Sequence, residues 1–393
     1  MLRLLSTVVT FTLWASGVLA TFDPDASDHI AIYWGQNSAG VSDASKAQRS
    51  LSEYCASTNV DIIPIGFLSS TDPVTIDLSN MKDNNNIGEE ITACQLSGKT
   101  VLMSVGGATL ATGFATAEAA AAAADQVWGM FGPVGAGDAS AARPFGAAVV
   151  DGFDLDIEAP LAHVGAFAAR LRAHLDAANG AAGGRRFYLS AAPQCPFPDR
   201  NNAELLHGPG AVRFDFVMVQ FYNNEGCDVR AFAPGGAGAG AGAGGGGGFN
   251  MAQWDAWARS AAAADHPAVK VFLGVPGAES AVAPAQRGSY AAPAALAPIV
   301  AYSRQFPSFG GVMVWDMSQV WANPGFLDAL AASDGGQSGQ QAAQDKNSAR
   351  ARLPDPEQTP ANHASAARLG RGRDHPRQWT PRDAARSLGG WLS

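Results

Sequence analysis

Four carboxylates fall within eight residues, DGFDLDIE at 151–158. The segment reads as a strand, in which alternate side chains face opposite ways. Asp154, Asp156 and Glu158 then share one face, and Phe153, Leu155 and Ile157 share the other. Ala147, Ala148, Val149 and Val150 continue the apolar character upstream, as in a parallel strand covered by helices. Carboxylates crowded in a partly desolvated site cannot all ionise cheaply, so one of them is expected to hold a proton near neutral pH and act as a general acid. A solvated or salt-paired strand end is the plainer alternative. It fits less well, because the nearest Lys or Arg in sequence are Arg143 and Arg170. A calcium or magnesium site would be expected on a Gly-containing loop rather than a strand. The four cysteines and scattered histidines show no zinc-ligand spacing, so no metal and no organic cofactor is expected.

The elements that must hold these groups can be read from hydrophobic periodicity. Eight apolar runs lie at 29–36, 62–69, 100–107, 149–157, 187–193, 214–222, 270–276 and 311–317. Helical patterns separate them at 44–58, 88–97, 116–131, 161–178, 252–264 and 293–306. The alternation predicts an α/β protein, a (β/α)8 TIM barrel with a single catalytic domain. An open doubly wound sheet would need a nucleotide-type glycine-rich turn after the first strand, which 35–40 does not supply. In a barrel, reacting groups stand at the carboxyl ends of the strands. Glu158, Tyr222, Trp315 and residues 33–36 are expected there, with Gln220 and Tyr222 on one face. Tyr33 or Trp315 taken alone would be read as core.

The DGFDLDIE segment resembles the active-site signature of glycoside hydrolase family 18 chitinases. Further segments resemble the class III, hevamine-like branch: IAIYWGQN (30–37), LMSVGG (102–107), LSAAPQCPFPD (189–199), VQFYNN (219–224), VFLGVPG (271–277) and GGVMVWDMS (310–318). Together they span about 28–332. The resemblance implies a substrate-assisted mechanism, an exception to the usual pair of catalytic carboxylates. Glu158 would protonate the glycosidic oxygen while the N-acetyl carbonyl of the substrate attacks the anomeric carbon, giving an oxazolinium intermediate. Asp156 would orient the acetamide, Asp154 would hold Asp156 and share its proton, and Tyr222 would donate to the acetamide oxygen. Trp315 would form an apolar floor, with Tyr33, Gln36, Gly107, Gln220 and Asn223 as further substrate contacts. The implied partner is chitin or a chitooligosaccharide. A catalytically dead lectin-like barrel, an endo-β-N-acetylglucosaminidase and a lysozyme-type activity are the alternatives; lectins of this kind usually lack the acid that Glu158 supplies.

Composition and boundaries agree with an exported enzyme. The 393 residues carry a net charge of -9, which argues against nucleic acid as a partner. Residues 1–20 read as a signal peptide: Arg3, an apolar stretch over 4–14, then Val18 and Ala20 before the cut. The catalytic domain is expected over 21–334, interrupted by a Gly/Ala-rich insertion at 235–248, and followed by a basic low-complexity tail at 335–393 that should be disordered. No later segment reaches membrane-spanning length, so no transmembrane anchor is expected, and the protein should be a secreted monomer, extracellular or in a cell wall. Export permits disulfides. Cys55, Cys94, Cys195 and Cys227 allow three pairings. On the strand map Cys55 lies near Cys94 and Cys195 near Cys227, with one bridge and two free thiols as the alternative.

Overall fold

The computed structural model describes residues 22–333, apart from 58, 80–85, 135–141, 182–184, 209, 234–247 and 261–268. The expected leader (1–20), nearly all of the Gly/Ala-rich insertion and the basic tail (335–393) lie outside the described residues.

Nine strands follow in chain order: β1 His29–Ile32, β2 Ile62–Thr71, β3 Val74–Ile76, β4 Thr100–Gly106, β5 Gly152–Asp156, β6 Tyr188–Ala191, β7 Phe216–Gln220, β8 Lys270–Pro276 and β9 Phe309–Trp315. Eight of them are parallel and close into a ring, since β1 pairs with β2 on one side and with β9 on the other. The (β/α)8 barrel read from the eight apolar runs is therefore the fold. The ninth strand, β3, is an antiparallel partner of β2 and was not expected.

Four helices lie close to their expected positions, Ile87–Leu96, Ala117–Phe131, Val164–Gly180 and Pro293–Ser303, while the helix expected at 252–264 ends early, at Met251–Ala258, and 261–264 lie outside the described residues. The helix expected at 44–58 is instead a 3-10 turn, Ala44–Lys46, and a short helix, Leu51–Cys55. Long-range bonds interrupt it: the Gln48 N–H donates to Asn37 Oδ1 at 2.6 Å, and Gln48 Oε1 accepts from the Gly35 N–H at 2.9 Å. Tertiary bonding to the β1 loop overrides local helix propensity here.

Several strands are shorter than their apolar runs. Tyr33–Gln36, Ile157–Glu158, Phe221–Tyr222 and Asp316–Met317 lie past the last residues of β1, β5, β7 and β9. Ile157, Phe221 and Met317 are nonetheless buried, so hydrophobicity continues beyond the ladder. Glu158 and Tyr222 thus do not close their strands, but stand two residues beyond them on the barrel's carboxyl-terminal mouth.

Alternation divides the apolar residues into two layers. Ala31, Ile62, Leu102, Phe216, Met218, Phe272 and Met313 fill the barrel, while Ile30, Ile32, Ile63, Ile65, Leu155, Val217, Val219 and Leu273 face the helices. At the amino-terminal end Phe22 closes the barrel against His29, Tyr188 and Phe216, with ring centroids 5.0, 5.6 and 4.6 Å away. All four cysteines are bridged. Cys55–Cys94 joins two helices and Cys195–Cys227 joins the loops after β6 and β7. Closing loops of 39 and 32 residues stabilises the fold by about 3–4 kcal/mol each on the chain-entropy model.

Candidate active site

Strand register assembles the polar interior. Ser104 of β4 and Ser190 of β6 are the direct neighbours of Asp154 on β5. Their hydroxyls donate to Asp154 Oδ2 at 2.6 Å and Oδ1 at 2.7 Å, and the Tyr33 hydroxyl donates to Oδ2 at 2.6 Å. Burial pushes the Asp154 carboxyl up, while these three hydroxyls pull it back by favouring the anion. Both Asp154 oxygens are engaged by hydroxyls, and the charge of Asp154 raises Asp156. Tyr33, buried beside these acids, is held well above the ordinary phenol range, first by burial and then by the charge of Asp154.

Two register positions further on, Asp156 lies beside Gly106, and Glu158 follows two residues later. Gln220, at the end of β7, bridges the two acids: its Nε2 lies 3.0 Å from Asp156 Oδ1, 3.3 Å from Glu158 Oε1 and 3.0 Å from the Ala192 carbonyl. Two N–H groups serve three acceptors, so the acids are held in one amide's reach. Burial drives Asp156 well above the usual carboxylate range, and the charges of Glu158, Asp154 and Asp199 drive it further. Glu158 is also raised, by burial first and by the charge of Asp199, against the Gln220 bond that favours its anion. Asp156 and Glu158 therefore titrate as a pair that retains a proton above the normal carboxylate range. Tyr222 is buried with them, and burial followed by the charges of Asp156 and Glu158 keeps its phenol well above the usual range, so it remains a hydroxyl donor.

An aromatic wall borders the acids. The half-buried Trp315 packs on Tyr33 at 5.7 Å and stacks on Phe67 at 5.9 Å with an interplanar angle of 17°. The peptide bonds Gly66–Phe67 and Trp315–Asp316 are cis. Gly107 has a φ of +79°, and a Cβ there would meet the Phe67 ring at 2.7 Å, so the backbone's close approach to this wall requires glycine. Its N–H donates to the Asp156 carbonyl at 2.9 Å. Gln36 stands at the rim with its Nε2 donating to the carbonyls of Gly66 at 2.9 Å and Asp77 at 3.0 Å, which ties the β2–β3 hairpin to the mouth. Asn223 is exposed, with its N–H donating to Ser289 Oγ at 3.2 Å. Asp316, next to Trp315, caps the helix Met317–Trp321, accepting from the Gln319 N–H at 3.1 Å and Ser318 Oγ at 2.6 Å.

Four contributors were not singled out from the sequence: Ser104, Ser190, Phe67 and Asp199. The two serines carry a usable signal, a small hydroxyl on the inward face of an apolar strand level with Asp154. Phe67 does not, because pairing between β2 and β4 shifts after Gly66 and changes which residues face inward. A separate cavity of about 570 Å³, lined by residues including Leu68, Val105, Phe114, Ile157 and Phe167, does not include Asp154, Asp156 or Glu158.

Residues 29–293 match the model of the glycosyl hydrolases family 18. The chain is similar to Endochitinase 33 of Trichoderma harzianum, 38% identical over 322 residues that cover 78% of this chain and 92% of that protein. It is also similar to a class III chitinase of Arthroderma benhamiae, 35% identical over 343 residues, 82% of this chain and 91% of that one. Among solved structures, a xylanase and alpha-amylase inhibitor protein from Scadoxus multiflorus shares 28% identity at a TM-score of 0.60, covering 78% of this chain and 99% of its own. A chitinase from Ipomoea carnea shares 26% at 0.58, with the same coverage. By its sequence over most of its length and by its barrel, the chain belongs to family 18 of the glycosyl hydrolases.

Proposed function

We propose that the chain is an endochitinase that hydrolyses β-1,4 linkages between N-acetylglucosamine units with retention, using the substrate's own acetamide as nucleophile. The buried Asp156 and Glu158, bridged by Gln220 at the barrel mouth, carry this reading, because they form a proton-holding pair where a sugar chain would cross.

Glu158, the more exposed of the two, donates its proton to the glycosidic oxygen as that bond breaks. The acetamide carbonyl oxygen attacks the anomeric carbon and forms the oxazolinium ion. Asp156 accepts from the acetamide N–H and offsets the charge that develops there. Asp154, ringed by three hydroxyl donors, stands behind it as a fixed acceptor and shares its proton. The Tyr222 hydroxyl donates to the acetamide oxygen and selects the reactive rotamer. Trp315, backed by Phe67 and Tyr33, is the floor on which the sugar's apolar face and the acetamide methyl rest. Glu158, now ionised, takes a proton from the water that opens the oxazolinium, which returns the acid to its starting state.

Secretion to the medium or a cell wall, and a monomeric state, belong to the same proposal. Among the described residues no helix is long and apolar enough to cross a membrane.

The test is product release from chitooligosaccharides by the protein and by Glu158→Gln, with the anomer of the first product read by NMR. Cleavage with retention by the wild type and its loss in the variant support the reading. An inverted product would defeat the substrate-assisted route. Binding of the oligomer by both proteins without cleavage by either would make the chain a lectin built on the same barrel.

A further inference from the structure

Ile157 and Glu158 follow the last residue of β5, so the ladder no longer holds the backbone that carries the acid. Two side-chain amides take over. Asn202 Nδ2 donates to the Ile157 carbonyl at 2.9 Å, and Asn201 Nδ2 donates to the Glu158 carbonyl at 2.8 Å. A carbonyl only accepts, so each amide must present its nitrogen to this segment. The other ends, Asn201 Oδ1 and Asn202 Oδ1, are buried without a hydrogen-bond partner among the described residues.

Asp199 sets both asparagines. Its Oδ1 accepts from the Asn201 N–H at 3.0 Å, and its Oδ2 accepts from Asn202 Nδ2 at 2.6 Å and from the Gln194 N–H at 3.0 Å. Asp199 and Asn202 are fully enclosed, while Asn201 is half-buried. The loop that carries them is tied to the next mouth loop by Cys195–Cys227.

We propose that Asp199 is a positioning residue for Glu158, acting through Asn201 and Asn202 to fix the backbone that aims the acid. The inference rests on the reading of Glu158 as the general acid. The Asp199 carboxylate also acts directly, because its negative charge opposes ionisation of both Asp156 and Glu158. The other groups facing Glu158 are Asp156 from β5, Gln220 at the end of β7, which favours the anion, and the neutral Tyr222 beyond it. Arg200, next in the chain, is exposed.

The experiment compares kcat and KM on chitotetraose across pH for the wild type and for E158Q, N201A, N202A and D199N, with Tm measured on each. N201A and N202A are expected to lower kcat about ten- to a hundredfold, as misplacement of a reacting group does. Their KM should stay within about twofold, and the alkaline limb of the rate profile should stay in place because the charge of Asp199 remains. D199N should lower kcat and also move the alkaline limb to lower pH, since Glu158 then loses its proton more readily. Wild-type kcat in N201A and N202A, with or without a lower Tm, would make the loop purely structural and overturn the proposal. An unmoved limb in D199N would remove the charge role. Should D199N fail to fold, N201A, which removes one half-buried amide, still decides. Full activity in E158Q would instead sink the assignment of the acid, a result separable from failure of the clamp.

Discussion

The two ends of the barrel are built from the same strands and differ in what those strands enclose. At the amino-terminal end Phe22, Tyr188, Phe216 and Phe272 pack ring against ring. The one polar tip among these four rings, the Tyr188 hydroxyl, donates to the Phe22 carbonyl at 3.1 Å. At the carboxyl-terminal end the same inward positions carry Asp154, Asp156, Ser104, Ser190 and Gln220, and the two aspartates are raised by burial. One end gains stability from contact, and the other holds titratable groups against their preference for water. This division is what separates a packed core from a site on one barrel.

Substitutions at the two ends should therefore fail in opposite ways. Glu158→Gln keeps the shape and removes the proton, so it should reduce kcat by roughly a thousandfold, the scale of general acid catalysis, while the protein stays folded. Steady-state hydrolysis beside thermal unfolding checks it. Phe272→Ala should do the reverse: loss of a fully buried ring costs about 3–5 kcal/mol, read in urea, with kcat per folded molecule unchanged. A Phe272→Ala protein of normal stability, or one with lowered kcat, would break the contrast between plug and mouth.

The aromatic wall sits between these extremes, since Trp315 and Phe67 both pack and face the site. Trp315→Ala should weaken oligosaccharide binding about tenfold. Because the rings stack, Trp315→Ala and Phe67→Ala should be non-additive by about 0.5–1.5 kcal/mol in a double-mutant cycle followed by titration calorimetry. Additive losses would mean that Phe67 is core and gives Trp315 no support.

The plug and the mouth were not equally legible. Strand periodicity was enough for the eight-stranded barrel and for the inward face of Asp154, Asp156 and Glu158, because a period of two survives in every strand of the ring. It misplaced strand ends, since buried residues past the ladder such as Ile157, Phe221 and Met317 are as apolar as the strands they extend. It missed Phe67, whose direction depends on a pairing shift between β2 and β4. It missed Phe22, because nothing local marks a residue seven positions before β1 as the closure of the barrel. Asp199 was hidden for another reason: its role arises from three donors on its own loop and from the carboxylates Asp156 and Glu158, a juxtaposition that only the folded chain creates.

The smallest effect expected at the mouth is also the one that tests why it differs from the plug. Glu158 and Asp156 hold their protons more tightly in the folded chain than in the unfolded one. Between the unfolded pKa, about 4 for either group, and the raised folded value, the native state binds more protons, so stability falls as pH rises through that interval. The loss persists at neutral pH and vanishes below about pH 4, where both states are protonated. A glutamine at 158 has no proton to release, and its amide oxygen can still accept from Gln220. Glu158→Gln should therefore melt about 1–3 °C above the wild type at neutral pH, with the two Tm curves converging in acid. Phe272→Ala should show a deficit of similar size at every pH, because the ring it removes does not titrate. Coincident Tm values for Glu158→Gln and the wild type across the whole range would mean that Glu158 bears no burial penalty, and that the mouth is no more strained than the plug.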